Sequence, residues 1–104
     1  MAFFVVSANE IKPYIGKAGT LVVDLRDKDS FKKAHIATAI NIPYEDFLGE
    51  ESIRANYSTI IFYCERGNSS LLVARDYKDI APLVLALAGG FNRNKTKFMI
   101  DGMG

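Results

Sequence analysis

The sequence has very little of the chemistry on which small metal sites and disulfide-stabilised folds depend. It contains one cysteine, Cys64, and one histidine, His35, among 104 residues. A single cysteine excludes an internal disulfide and a multi-cysteine metal site, and a single histidine excludes a multi-histidine zinc or iron site. A triad of serine, histidine and aspartate would have to use His35. The candidate nucleophiles are therefore few.

Long apolar runs and charge of one sign are also missing. The apolar stretch 83–88 is far shorter than the ~20 residues that a membrane helix needs, and the N-terminal residues lack the basic segment of a signal peptide. We therefore expect a cytoplasmic protein without a membrane partner. The net charge is +1, with lysine and glutamate scattered along the chain, which argues against nucleic acid as a partner. The length predicts one domain, residues 1–104.

What the sequence does contain is an alternation of β-prone and helical segments. The continuous apolar strands are typical of a sheet covered on both faces. We therefore predict an α/β fold with an open, mostly parallel central sheet and helices on both faces. Strands are predicted at residues 3–6, 21–23, 39–42, 58–63 and 83–87, and helices after residue 7 and at residues 30–34, 44–54, 69–79 and within 91–104.

Two local patterns predict where helices begin and end. Ser7 and Glu10 have the spacing of a capping box, in which each side chain bonds the backbone N–H of the other residue. Pro13 should keep that helix short because it removes a helical hydrogen bond. Farther along the chain, Asp27 or Asp29 is placed to cap the short helix that follows.

Cys64 ends the strongest strand signal and opens a polar loop, and a helix follows immediately. A lone cysteine is by default a small buried hydrophobe. Here Gly67 permits unusual backbone angles, so successive N–H groups can turn inward and form an anion nest. The helix N-terminus adds partial positive charge, and such surroundings favour the nucleophilic thiolate. The sequence therefore predicts a reactive cysteine, with donors drawn from the loop residues Glu65, Arg66, Gly67, Asn68, Ser69 and Ser70.

Two chemistries use a cysteine in such a cradle: phosphate-ester cleavage and sulfur transfer. Cysteine phosphatases carry histidine before the cysteine and arginine six residues after it, because the arginine binds the phosphoryl oxygens. This chain has Tyr63 and Ser70 at those positions, and the nearest arginine is Arg66. We therefore expect no phosphatase or arsenate-reductase activity.

Four segments in the same order resemble the single-domain rhodaneses, the thiosulfate sulfurtransferase family. They are LVVDLR at 21–26, FKKAHIATAINIP at 31–43, IIFYCERGNSS at 60–70 and LAGGF at 87–91. The chain departs from the family pattern at Ala34 and Thr38, which stand where the family usually has glycine, and at residues 92–94, which follow Phe91 where the family often has tryptophan. Glu65 also places a carboxylate beside the nucleophile, where it would repel a dianion if its side chain pointed inward.

The resemblance implies a sulfurtransferase in which Cys64 takes a sulfane sulfur from a small anionic donor, thiosulfate or a polysulfide. The resulting persulfide would then pass its sulfur to a thiol or a protein, with no metal or organic cofactor. Arg66 is the candidate for recognising the anionic donor. The alternative is a sulfur carrier or protein-interaction module with little turnover of its own. The resemblance also implies a structural role for His35, and we expect an ion pair between Asp24 and Arg26 near the site.

Overall fold

The computed structural model describes residues 3–53 and 55–102. Its main sheet has five strands in the order β1-β6-β5-β2-β4, and every neighbouring pair is parallel. A separate antiparallel pair joins β3 to β7. The strands are β1 (Phe3–Val6), β2 (Thr20–Asp24), β3 (His35–Ile36), β4 (Ile40–Asn41), β5 (Thr59–Tyr63), β6 (Leu83–Leu87) and β7 (Ile100–Asp101).

Helices cover both faces of the sheet, and four short 3₁₀ turns link them to the strands. The helices are α1 (Ala8–Ile11), α2 (Lys28–Lys33), α3 (Asn68–Asp76) and α4 (Gly90–Asn94). The 3₁₀ turns are Lys12–Tyr14, Tyr44–Asp46, Gly49–Ser52 and Lys95–Lys97. No helix in the described part of the chain is long and apolar enough to cross a bilayer.

The two faces of the sheet carry two apolar cores. On one face, Val73 and Ala74 of α3 pack on alternate residues of the central strands, including Ile60 and Phe62. On the other face, Ile61 and the intervening strand residues meet the apolar side chains of α1 and α4. This alternation follows from the two-residue period of a strand, and the buried strands read as continuous apolar runs because both faces are covered. The predicted sheet and its two helical layers are confirmed.

The predicted helix caps are present. The Ser7 hydroxyl accepts a hydrogen bond from the Glu10 backbone N–H, and the Glu10 carboxylate accepts one from the Ser7 N–H at 3.0 Å. The bond from the Ser7 N–H, and a second from the Ser7 hydroxyl to the same carboxylate oxygen, lower the pKa of Glu10, because they stabilise the ionised carboxylate. Asp27, rather than Asp29, caps α2 by accepting from the Ser30 N–H at 2.8 Å.

The helix predicted at 44–54 is wrong. Residues 44–52 form two separate 3₁₀ turns instead of one helix, because Gly49, the first residue of the second turn, has a positive φ of 69° that interrupts a continuous helix. Arg54, the last residue of the predicted helix, lies outside the described residues. The predicted C-terminal helix is present as α4 and the 3₁₀ turn after it, and the segment then forms β7, a strand that was not predicted and that pairs with β3. Smaller differences concern α3, which spans 68–76 instead of 69–79, and the strand predicted at 39–42, which is Ile40–Asn41.

The two departures from the glycine pattern differ in backbone conformation. Ala34 is extended, with φ of −167°, which any residue adopts. Thr38 has φ of 74°, the left-handed region that a β-branched side chain disfavours. Of these two residues, only Thr38 therefore adopts a backbone conformation that is strained for its side chain and unstrained for glycine.

Candidate active site

Cys64 follows directly on the central strand of the sheet. β5 lies between β6 and β2, and its last residue, Tyr63, pairs with Asp24 at the end of β2. The carboxyl ends of parallel strands share one edge of the sheet, which is where open α/β sheets bind ligands. Cys64 is 6% exposed, so the thiol lies just below the surface at this edge.

A cradle of backbone N–H groups surrounds the sulfur. The N–H of Gly67 lies 3.1 Å from Sγ of Cys64, and the N–H of Ser70 lies 3.3 Å from it. Gly67 opens α3 with φ of 103°, a left-handed conformation that lets the loop reverse over the sulfur. The Ser70 hydroxyl is 3.5 Å from Sγ and donates to the Gly67 carbonyl at 3.2 Å. These donors at a helix N-terminus suit a negatively charged sulfur.

The remaining predicted loop residues do not share these contacts. Arg66 and Asn68 are exposed, and Ser69 is half-buried in the first turn of α3. The side chain of Glu65 is 50% exposed, and its Oε1 lies 3.5 Å from Nη1 of Arg26. The carboxylate that adjoins the nucleophile in sequence is thus paired with a guanidinium.

The expected ion pair between Asp24 and Arg26 is present and buried. Both carboxylate oxygens of Asp24 accept from Arg26, the shorter contact being 2.7 Å, and a second bond from Nη2 reaches the Ala34 carbonyl at 2.6 Å. The guanidinium carbon lies 4.1 Å from the centre of the Phe91 ring. Burial disfavours the charged form of Arg26, but the hydrogen bond and charge of Asp24 outweigh burial and raise its pKa. Arg26 therefore links the end of β2 to the cysteine loop.

A second turn, at residues 89–92, supports the cysteine loop through backbone hydrogen bonds. The sequence analysis did not assign this turn to the site. The N–H of Phe91 donates to the Cys64 carbonyl at 2.8 Å, and the N–H of Asn92 donates to the Glu65 carbonyl at 2.9 Å. A Cβ on Gly90 would lie 2.6 Å from the Cys64 carbonyl oxygen, so this close approach requires glycine. The glycine pair at 89–90 was the available signal, since two adjacent glycines indicate a backbone held in an unusual conformation.

The aromatic and imidazole groups near the site have structural partners. The Tyr63 hydroxyl accepts from the Ile36 N–H at 3.0 Å, and burial raises the pKa of Tyr63. The His35 ring stacks on Phe31 with centroids 3.7 Å apart, and its Nδ1 is 2.7 Å from the Phe31 carbonyl oxygen. These contacts agree with the structural role expected of His35. Within residues 3–53 and 55–102, no cluster of histidine, cysteine and carboxylate side chains is arranged to hold a metal.

The fold and the site together define a class of protein. In this class, a cysteine directly follows the central strand of a parallel α/β sheet and lies at the N-terminus of the next helix. The sequence model of the rhodanese-like domain matches residues 7–97. The chain therefore belongs to the rhodanese-like domain family.

Similar proteins come from bacteria and archaea. A tRNA sulfurtransferase of Pyrobaculum aerophilum is 36% identical over 62 residues, which is 60% of this chain. The match spans only 13% of the length of that relative. A crystal structure of a Bacillus halodurans protein has a TM-score of 0.75 and 28% identity, and covers 95% of this chain and 77% of its own.

Two further solved structures share the fold. A rhodanese-related protein of Thermoplasma volcanium has a TM-score of 0.78 at 18% identity, covering 95% of this chain and 98% of its own. A thiosulfate sulfurtransferase of Pseudomonas aeruginosa has the same TM-score at 13% identity, covering 97% of this chain and 20% of its own. At these identities the likeness concerns the fold alone.

Proposed function

We propose that this protein is a sulfurtransferase that moves a sulfane sulfur from thiosulfate or a polysulfide to a thiol or protein acceptor through a persulfide on Cys64. The observation that carries the proposal is the pair of N–H groups of Gly67 and Ser70, 3.1 and 3.3 Å from Sγ. Hydrogen bonds to a charged acceptor are the strong ones, and the same donors suit a thiolate and the terminal charge of a persulfide. We place the reaction in the cytoplasm, where a lone thiol stays reduced.

The proposed reaction has two displacements. The Cys64 thiolate attacks the outer sulfur of thiosulfate, the sulfur–sulfur bond of the donor breaks, and sulfite leaves with the electron pair. The acceptor thiolate then attacks the outer sulfur of the persulfide, and the electron pair of the broken bond returns to Cys64. Charge and oxidation level balance in each step, so neither step needs an oxidant or a metal.

Membership of the rhodanese-like family supports this reaction class, and so does the name of the Pyrobaculum relative, a tRNA sulfurtransferase. The loop residues Glu65 to Ser70 are the proposed binding site for the donor. Gly67 and Ser70 contribute N–H groups, while Glu65 is paired with Arg26. Arg66, the exposed cation of the loop, is proposed to attract an anionic donor to the site by its charge.

The test is intact-protein mass spectrometry after incubation with thiosulfate in the absence of reductant. We expect a mass gain of one sulfur atom that cyanide reverses. The Cys64→Ser variant should show no gain and should transfer sulfur at least about 10³-fold more slowly, because the reacting atom is lost. Circular dichroism of this variant should match the wild type. Retained turnover in Cys64→Ser would exclude the proposed mechanism.

The role of Arg66 is tested by the Arg66→Ala variant, with Lys32→Ala, an exposed cation on α2, as the matched control. Loss of one exposed charge, worth about 0.2–1 kcal/mol, should raise the KM for thiosulfate by about two- to fivefold with little change in kcat. Steady-state cyanide assays at low ionic strength measure both constants. An unchanged KM in Arg66→Ala would remove this residue from the donor site.

The second candidate is a sulfur carrier or protein-interaction module with little turnover of its own. Exposed apolar side chains, such as Leu72 on the helix that follows the cysteine loop and Tyr44 in the segment after β4, favour a protein partner. A persulfide that forms with polysulfide or a protein persulfide, but not with thiosulfate, would support this candidate.

A further inference from the structure

A groove of about 290 Å³ lies between α3 and the segment that follows β4. Its lining combines aromatic and aliphatic side chains with two carboxylates. It is lined by Tyr44, Glu45, Phe47, Val73, Asp76 and Tyr77.

The groove reaches the same edge of the sheet as the cysteine. The N–H of Tyr44 donates to the Leu25 carbonyl at 3.0 Å, and the N–H of Leu25 donates to the Tyr63 carbonyl at 2.8 Å. Tyr44 is therefore anchored about two strand spacings, ~10 Å, from the end of β5. On the other wall, Val73 follows Ser70 by one helical turn, ~5 Å. A partner bound in the groove would thus lie about one helical turn from the cradle along α3 and about two strand spacings from it along the edge of the sheet.

Exposed apolar side chains lie on both segments that form the groove. Tyr44 is 44% exposed, and Leu48, Leu72 and Tyr77 are also exposed. A dianion such as thiosulfate has no apolar part that would cover these side chains. The surface therefore suits a larger partner with apolar side chains of its own.

The charge of this surface is strongly negative in a chain whose net charge is only +1. Residues 44–52 contain four acidic residues (Glu45, Asp46, Glu50 and Glu51) and no lysine or arginine. Asp76 on the opposite wall is offset by Arg75, which donates to it at 3.0 Å. Segment 44–52 therefore dominates the charge, and it is complementary to a basic partner.

We propose that this groove docks the protein acceptor of the sulfur, a partner whose reactive thiol lies beside a basic and apolar surface segment. The inference rests on the proposed function, since it names the acceptor for the second displacement. The docked thiolate attacks the outer sulfur of the Cys64 persulfide, and the bond between that sulfur and Sγ breaks. The electron pair stays on Cys64, and the partner leaves as the persulfide.

The probe is a short peptide with one cysteine flanked by leucines and lysines, compared with a peptide in which glutamates replace the lysines. Sulfur transfer from the Cys64 persulfide is measured for each peptide and, separately, for cyanide. We expect transfer to the lysine peptide to be about tenfold faster than to the glutamate peptide, through charge attraction that added salt weakens.

Two protein variants change the groove, one by reversing its charge and one by removing an apolar side chain, and a control variant leaves the groove unchanged. Replacing Glu45 and Asp46 together by lysine should lower the ratio of lysine-peptide to cyanide transfer about tenfold and should favour the glutamate peptide. Tyr44→Ser should lower the same ratio severalfold. The matched control is Phe4→Ser, because Phe4 is 51% exposed on the edge strand β1, away from the groove. Phe4→Ser should leave the ratio unchanged.

Binding is measured independently of the chemistry, by fluorescence anisotropy with labelled peptides in which serine replaces the cysteine. Equal affinity for the two peptides, or no effect of the Glu45/Asp46 reversal, would overturn the docking inference. So would self-association of the chain that the reversal abolishes, since the groove would then hold a second copy. If the protein transferred no sulfur to cyanide, the result would count against the proposed function. The anisotropy measurement would still show whether the groove binds the lysine peptide.

Discussion

Two neighbouring parts of the molecule are built alike and do different things. β5 leads through Gly67 into α3, and β6 leads through Gly89 into α4, with φ of 103° and 78° at the two glycines. At the first turn, N–H groups point at the sulfur of Cys64. At the second turn, N–H groups point at the backbone carbonyls of Cys64 and Glu65.

The contrast separates a binding turn from a supporting turn. A helix N-terminus has unsatisfied N–H groups that need acceptors. The α4 turn finds its acceptors inside the fold, in the loop next to it, and so holds that loop in place. At the α3 turn, the N–H groups of Gly67 and Ser70 point at the sulfur of Cys64 instead of at a backbone carbonyl. These donors can therefore stabilise negative charge on the sulfur. The cradle is therefore the part of this pair that can take part in chemistry.

The largest expected effect on stability comes from Gly90→Ala, which places a methyl group between the two turns. The added Cβ would lie 2.5 Å from the Glu65 carbonyl oxygen, and Gly90 has φ of 66°. Clash and backbone strain together should lower the free energy of unfolding by at least about 3 kcal/mol. Urea unfolding followed by circular dichroism measures the change.

The matched control for this variant is Gly16→Ala. Gly16 also has a positive φ, of 84°, but nothing lies within 4 Å of its added Cβ. Its cost should therefore be the backbone term alone, about 1 kcal/mol. Equal losses in the two variants would mean that the close approach to the cysteine loop is not what requires Gly90.

An intermediate effect is expected from Asn94→Ala, which weakens the supporting turn without filling it. The Asn94 side chain is buried and donates to the carbonyls of Ala88 and Gly90, both at 2.8 Å. Losing these two buried hydrogen bonds should lower the free energy of unfolding by about 2 kcal/mol. Asn92→Ala on the same helix is the control, because Asn92 contacts the loop through its backbone N–H alone. A loss in Asn92→Ala as large as in Asn94→Ala would contradict this explanation.

The smallest expected effect is a gain, from Thr38→Gly. Thr38 has φ of 74°, a conformation that is free of strain only for glycine. The substitution should raise the free energy of unfolding by about 1 kcal/mol, less whatever glycine gains in the unfolded chain. Ala34→Gly, at an extended position, should instead lower it. A stability loss in Thr38→Gly would show that Thr38 is not strained.

Short-range patterns predicted much of the fold and the place of the site. The capping box of Ser7 and Glu10 depends on residues three apart, and the strand before Cys64 is largely apolar and buried along its whole length. Gly67 and the helix after it were also readable, because a positive φ and a helix start are local properties. The helix predicted at 44–54 is wrong because composition favoured it, while the positive φ of Gly49, where the second 3₁₀ turn begins, interrupts the segment.

The sequence by itself determined the class of fold, the central strand, the cysteine at its carboxyl end and the helix that follows. Only the tertiary structure decided the strand order, the pairing of β3 with β7, the turn of Glu65 toward Arg26 and the support of the cysteine loop by the N–H groups of Phe91 and Asn92. The physical reason is distance along the chain. Capping and strand alternation act over a few residues, whereas the last three of these contacts join residues 27 to 66 positions apart, which local propensity does not encode.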